Sequence, residues 1–318
     1  MSSTEEPPEL AGLALDDAVD VVVATYNVDR DRAATILRSV ADDGVVSREA
    51  VSDRLGHVSK VVSTPETRLE LTERTHQAII DRVEEAPDYE TITARLTQYE
   101  TRLDDIREAI SNLGTQLQTL IDRRDDGALF PLARDLEQLS ERAKQLQQQA
   151  DKLNADLETF ADWLDDPSVR ADRLAEDVNL LEEGLASLEA TVDDVSPDAD
   201  EDADRQWFDA SLRQRVFALL VADLRFEYRE LAEWEATIGA DATGLEAVDE
   251  RIDALEMEIT ALNDQLKALA RSAWIDRFAD RFDAFETELD AFDPPVHWGA
   301  VQDVLAAHRP DDQQDSQA

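Results

Sequence analysis

The chain has 318 residues, 74 acidic side chains against 31 basic ones, and a net charge of −43. Such a polyanion is not an electrostatic phosphate binder in dilute buffer, and anionic lipid head groups repel it. Hydrophobic residues make up 42% of it, so disorder is not required. With no Cys it has neither disulfides nor thiolate chemistry.

Residues 1–12 read as a disordered tail without the basic and apolar segments of a signal peptide. Asp16 reads as the cap of a short helix with Val19, Val22, Val23 and Tyr26 on one face. Asp29 caps a second, with Ala33, Ile36, Leu37 and Val40 inward and Gly44 as its stop. Ser47 caps a third, with Ala50, Val51 and Leu55 inward, closed by Gly56. Thr64-Pro65-Glu66 reads as a new helix start, with Pro at the first helical position, running to about Ala86.

From Tyr89 through Ile92, Leu96, Tyr99, Leu103, Ile106, Ile110, Leu113 and Leu117 to Leu120, apolar residues alternate three and four apart, which is a heptad seam. A second seam runs from Leu132 to Leu164, and the break between them reads DDGALFP at 125–131. Two seams of near-equal length around a short Gly/Pro break predict an antiparallel hairpin. Asp166-Pro167 either kinks this helix or caps a third one. The third helix is preferred, because 88–195 then forms a three-helix bundle. Residues 193–204, DDVSPDADEDAD, read as an acidic linker. A helix over Trp207–Ile238 rich in aromatics follows, then a turn at Gly239–Gly244. One last long seam starts at Leu245 and resumes at Phe278, until Asp293-Pro294-Pro295 stops it.

The expected organisation is therefore a tail (1–12), an N-terminal helical, helix-turn-helix-like domain (13–63) and a coiled-coil bundle (64–195) with its hairpin turn at 125–131. An acidic linker (196–206), a C-terminal helical hairpin (207–292), and a short helix with a polar tail (293–318) complete it. The fold class is all-α. The longest apolar runs, Val21–Ala24 and Val216–Ala222, fall far short of the ~20 residues of a spanning helix, so no membrane contact and a cytoplasmic location are expected.

Few residues offer chemistry. Residues 29–63 have a helix-turn-helix rhythm. The stretch 45–76 is electrically neutral in an otherwise acidic chain, which makes Arg48, Arg54 and Lys60 candidate DNA contacts, against the alternative of a small helical cap packed on the bundle. A winged version of that motif needs a hairpin at 57–71, against which the Pro65 helix start argues. Acids at 198, 200 and 202 follow a calcium-loop rhythm but lack Gly at the sixth position and Glu at the twelfth. His57, His76, His297 and His308 share no metal-ligand spacing, and no phosphate-cradling, nucleophile-elbow or H-E-x-x-H motif occurs. No catalytic residue, cofactor or metal is therefore assigned. Trp207, Phe208, Tyr228 and Trp234 are candidates for a partner surface, against the alternative of an aromatic core.

The acid surplus, the scarcity of lysine (four residues) and the abundance of Asp resemble the proteins of salt-in halophiles. There the Debye length falls to roughly 3 Å and self-repulsion is screened. The stretches Asp42-Asp43-Gly44-Val45-Val46-Ser47 and Ser59 to Arg68, with the coiled coil after them, resemble haloarchaeal proteins labelled "halo transducer protein". That resemblance implies an all-helical cytoplasmic protein accessory to signalling. The chain departs from true transducers, having no membrane helix and DDGALFP at its hairpin turn, so no methylation or kinase-coupling residues carry over. The expected function is a non-enzymatic coiled-coil scaffold of a high-salt cytoplasm, bound to protein partners through helical surfaces, including a homodimer. The alternative is a DNA-binding regulator with an N-terminal helix-turn-helix and coiled-coil dimerisation.

Overall fold

A computed structural model describes residues 8–125, 127–195, 202–240 and 243–309. Among them are ten α-helices and one two-stranded hairpin, so the fold is all-α as expected. They divide into two compact units, Met1–Glu84 with Leu96–Ala161, and Glu85–Arg95 with Asp162–Ala318. The division passes within two long helices rather than through 193–204, of which 196–201 lie outside the described residues.

The first unit opens with α1 (Leu15–Tyr26), α2 (Arg30–Arg38), β1 (Ala41–Asp42) and β2 (Val45–Val46). Asp29 and Ser47 cap as read: the N–H of Arg32 donates to the Asp29 carboxylate at 3.0 Å, and that of Ala50 to Ser47 Oγ at 3.0 Å. Asp16 does not cap α1. The capping position is Ala14, and Asp16 lies in the first turn, where its charge still complements the helix dipole. Residues 8–12 are not frayed, since Leu10 is buried and the N–H of Gly12 donates to the Val46 carbonyl at 2.8 Å.

The largest departure is α3 (Arg48–Val83), one helix where two were expected. Gly56 does not close it and lacks the positive φ found at Gly12, Gly44 and Gly239. Pro65 sits in its interior, where a proline costs about 3 kcal/mol. The offset is visible in the buried positions Val51, Leu55, Val58, Val62, Pro65, Leu69, Thr72, His76 and Ile79, an unbroken four-three alternation. At roughly 1.5–3 kcal/mol per buried aliphatic side chain, that stripe outweighs one strained turn.

Helices α4 (Glu90–Asp122) and α5 (Leu129–Asp165) form the expected hairpin. Within the first unit its register is set by the Tyr99–Phe160 ring contact at 5.4 Å and by three polar pairs. These are Arg102–Asp156 at 2.7 Å, Arg142–Gln116 at 3.0 Å and Arg123–Asp135 at 3.2 Å. All four are centred on residue 129 or just after it. Thr72 Oγ1 donates to the Ala150 carbonyl at 3.2 Å and Thr75 Oγ1 to Asn154 Oδ1 at 2.8 Å, so α3 runs parallel to α5.

In the second unit, Asp166 caps α6 (Pro167–Asp193) by accepting from the Ser168 N–H at 2.8 Å, so Pro167 starts a new helix. Helix α7 (Ala203–Ile238) is antiparallel to α8 (Thr243–Leu269): Trp207 Nε1 donates to the Leu266 carbonyl at 2.9 Å and Gln214 Nε2 to that of Ile259 at 3.4 Å. Helix α8 runs parallel to α6, since Arg251 bonds Glu182 and Gln265 bonds Asp193. The last seam is two helices, because the chain breaks at Ala270–Arg271 before α9 (Ser272–Leu289). Phe278 of α9 stacks on Phe208 at 4.3 Å, and Phe282 meets Trp207 edge-on at 5.5 Å. Helix α10 (Trp298–His308) is tied back to α7 by Asp223, which accepts from the Val296 N–H at 3.0 Å and from Trp298 Nε1 at 2.8 Å.

Candidate functional site

The lobe at residues 12–47 is built from short elements, two helices of 12 and 9 residues and two strands of two. Asp43 (φ 46°) and Gly44 (φ 80°) both take the left-handed conformation, the turn that a two-residue hairpin between β1 and β2 requires. On its other edge β2 meets the chain entering α1: Ala14 bridges Val45, and the N–H of Val46 donates to the Leu13 carbonyl at 3.0 Å. The order across this small sheet is thus 14, then 45–46, then 41–42. Helix α1 ends at Asn27 in the left-handed region, and Val28 and the capping Asp29 lead directly into α2. Ala18, Val19 and Val22 of α1 and Ala33, Ile36 and Leu37 of α2 are buried, together with Val40 and Val46.

The outer side of α2 is its polar side. Asp31, Arg32, Thr35 and Arg38 are exposed, and the helix holds three Arg and one Asp, so it is basic within a chain of −43. Arg30 is bonded to Asp20, and this hydrogen bond holds its guanidinium above the ordinary arginine value. Arg32 and Arg38 make no ion pair among the described residues. A cleft of about 530 Å³ separates Asp31, Arg32 and Thr35 from Glu137, Gln138 and Glu141 of α5.

The DNA contacts expected on α3 do not converge. Arg48, Arg54 and Lys60 are six residues apart, so the three spread evenly around α3, about 120° from one another, rather than lying in one arc. Arg48 clamps the hairpin turn, donating from Nη1 to the carbonyls of Gly127 at 3.2 Å and Arg124 at 3.4 Å. Arg54 is half-buried, its Nε without a hydrogen-bond partner, and Lys60 is exposed. The hairpin absent from 57–71 lies at 41–46 instead. Asp43-Gly44 between Ala41 and the valines is its sequence signal, and Gly44 is a hairpin turn residue rather than a helix stop.

The aromatic partner surface is also corrected. Trp207, Phe208 and Trp234 are buried and belong to the core, while Tyr228 is half-buried. Trp234 belongs to the most enclosed charged cluster of the second unit. Arg170 is 1% exposed and its Nε donates to Glu235 Oε1 at 2.7 Å. Its Nη1 donates to the carbonyls of Trp163 at 3.0 Å and Leu164 at 2.9 Å, and its guanidinium stacks 3.9 Å above the Trp234 ring. Those carbonyls belong to the last turn of α5, where a cation complements the helix dipole. The opposite case is Glu230, whose two carboxylate oxygens accept from the N–H groups of Glu90 and Thr91 at the start of α4, at 2.9 and 2.8 Å.

Beside this cluster Glu227 bonds Arg95, yet burial pushes its carboxyl up, and burial does the same to Asp177 and Asp223. Of the histidines, His76 is buried on α3, His297 accepts from the Ala300 N–H at 3.3 Å, and His308 lies 3.2 Å from Glu288. Among the described residues no three His, Asp or Glu are placed to hold a metal ion, and no helix is long and apolar enough to cross a membrane. The candidate site is therefore the outer face of the 12–47 lobe. No family model, curated protein or solved structure matches the chain.

Proposed function

We propose that the protein is a non-enzymatic helical scaffold of a high-salt cytoplasm, with coiled-coil arms that space its interaction surfaces. The observation that carries this reading is the α4–α5 hairpin. Its helices of 33 and 37 residues are held in one register, with their outer termini capped by Glu230 and Arg170. Helices of this length span about 50–55 Å each, and charges that match the dipole at both termini oppose fraying. Arginines support the reading as well, because twelve of them join neighbouring helices among the described residues. Arg225, for example, reaches Asp249, Asp253 and Glu256 of α8.

The test is purification of the full chain from lysate held in molar KCl, with and without nuclease, followed by light scattering. A stoichiometric protein partner that survives nuclease, or a homodimer, is the expected result. Recovery of DNA alone, or a monomer without a partner, overturns the scaffold reading.

A further inference from the structure

We propose that residues 12–47 form a winged helix-turn-helix whose reading helix is α2, docking in the major groove of duplex DNA through Arg32, Thr35 and Arg38. This goes beyond the scaffold reading and does not depend on it. Three observations meet at the lobe. The first is topology. A bridged residue (Ala14), helix, three-residue turn, helix and hairpin follow one another, with the hairpin's second strand between Ala14 and the first strand. In a helix-turn-helix the second helix enters the groove and the first crosses behind it, and α2 stands in that second position.

The second observation is shape. Helix α2 has nine residues, about 13 Å of axis, and buries Ala33, Ile36 and Leu37 against the lobe, while Asp31, Arg32, Thr35 and Arg38 stay exposed, the first three lining the open cleft toward α5. The major groove is about 12 Å wide and admits one helix.

The third is charge. Arg32 and Arg38 are cations without an ion-pair partner among the described residues, on the one helix of the lobe that is net positive. An arginine left free in such an acidic chain is available for the bidentate contact to guanine that arginine makes best.

The surrounding charges name the condition under which the contact works. Asp31 on α2, Asp42 and Asp43 of the hairpin, and Glu137 and Glu141 across the cleft all repel phosphate. At 0.1 M salt their fields reach about 10 Å, and at 1 M about 3 Å. Repulsion is thus removed by salt while short hydrogen bonds to base edges remain. Affinity should rise with KCl, the reverse of ordinary protein–DNA association.

The experiment uses the full chain and a pool of random-sequence duplexes in 2 M KCl, with sequencing of the bound fraction. The enriched duplex is then titrated by fluorescence anisotropy from 0.5 to 3 M KCl, with circular dichroism at each step to confirm that the chain stays helical. The expected result is an enriched sequence bound more tightly as KCl rises. Arg32→Ala/Arg38→Ala should weaken it about 10- to 100-fold, while Arg54→Ala/Lys60→Ala leaves it within about twofold of the parent. Both α2 positions are exposed and Ala favours helix, so the double variant retains the fold. No enrichment by the folded chain overturns the proposal. So does binding that falls with KCl, or that depends on Arg54 and Lys60 instead. Loss of self-association alone in the α2 variant would assign the face to a contact between copies, and also overturns it.

Discussion

Replacing Arg170 by Met tests the enclosed cluster of the second unit. The guanidinium is 1% exposed and serves three acceptors, the Glu235 carboxylate and the carbonyls of Trp163 and Leu164. Its removal strands a carboxylate whose side chain is 2% exposed and whose Oε2 already lacks a partner. Breaking one side of such a pair costs about 3–5 kcal/mol, which lowers Tm by roughly 10 °C in a unit of this size. Arg170→Met/Glu235→Leu leaves no buried charge, and its stability should return to within about 1–2 kcal/mol of the parent. Urea unfolding at 1 and 3 M KCl, followed by circular dichroism, measures both variants. The single-variant loss should be equal at the two salt concentrations, because a desolvated pair is weakly screened. A cost below about 1 kcal/mol for Arg170→Met, or a double variant no more stable than that single one, would refute the reasoning.

Three further outcomes are expected. Pro65→Ala restores an N–H inside α3 and should raise Tm, a gain of up to about 3 kcal/mol less roughly 1–2 for the lost ring methylenes; a fall in Tm would place Pro65 at a helix start instead. Gly127→Ala sets a Cβ 2.5 Å from the Arg123 carbonyl oxygen, so the turn must shift and the unfolding free energy from urea titration should drop by about 1–3 kcal/mol, whereas an unchanged value contradicts that geometry. Asp177→Asn removes a carboxyl that burial pushes up. Native Asp177 takes its proton before the unfolded chain does, so its drag on stability is full at neutral pH and gone below the unfolded value of about 3.9. The variant should therefore melt higher at pH 7, with the difference vanishing near pH 4. A pH-independent offset is the contrary result.

Much of the fold was legible because periodicity and capping are local. The seams of α4 and α5, the caps Asp29, Ser47 and Asp166, and the left-handed Gly239 all follow from neighbouring residues. Pro65 misled because a local breaker was weighed without the stripe from Val51 to Ile79 that overrides it. Arg170 was invisible for a different reason. It occupies an apolar register position on α6, and the residue that makes this tolerable, Glu235, is 65 positions away. The aromatic residues of α7 were read as surface or core because composition does not tell which side a helix turns inward. At the lobe, Asp43-Gly44 carried the hairpin signal, but two-residue strands gave it no alternating flank.

The symmetry of the α4–α5 contacts about residue 129 constrains how this chain can change length. Removing residues from one arm alone slides Tyr99 off Phe160 and Arg102 off Asp156 while leaving Arg123 on Asp135 near the turn. Removing seven from each arm, at mirrored places, keeps every remaining pair opposed and every apolar position inward. Insertions and deletions in this hairpin are therefore expected in matched heptads, with the turn as the fixed origin.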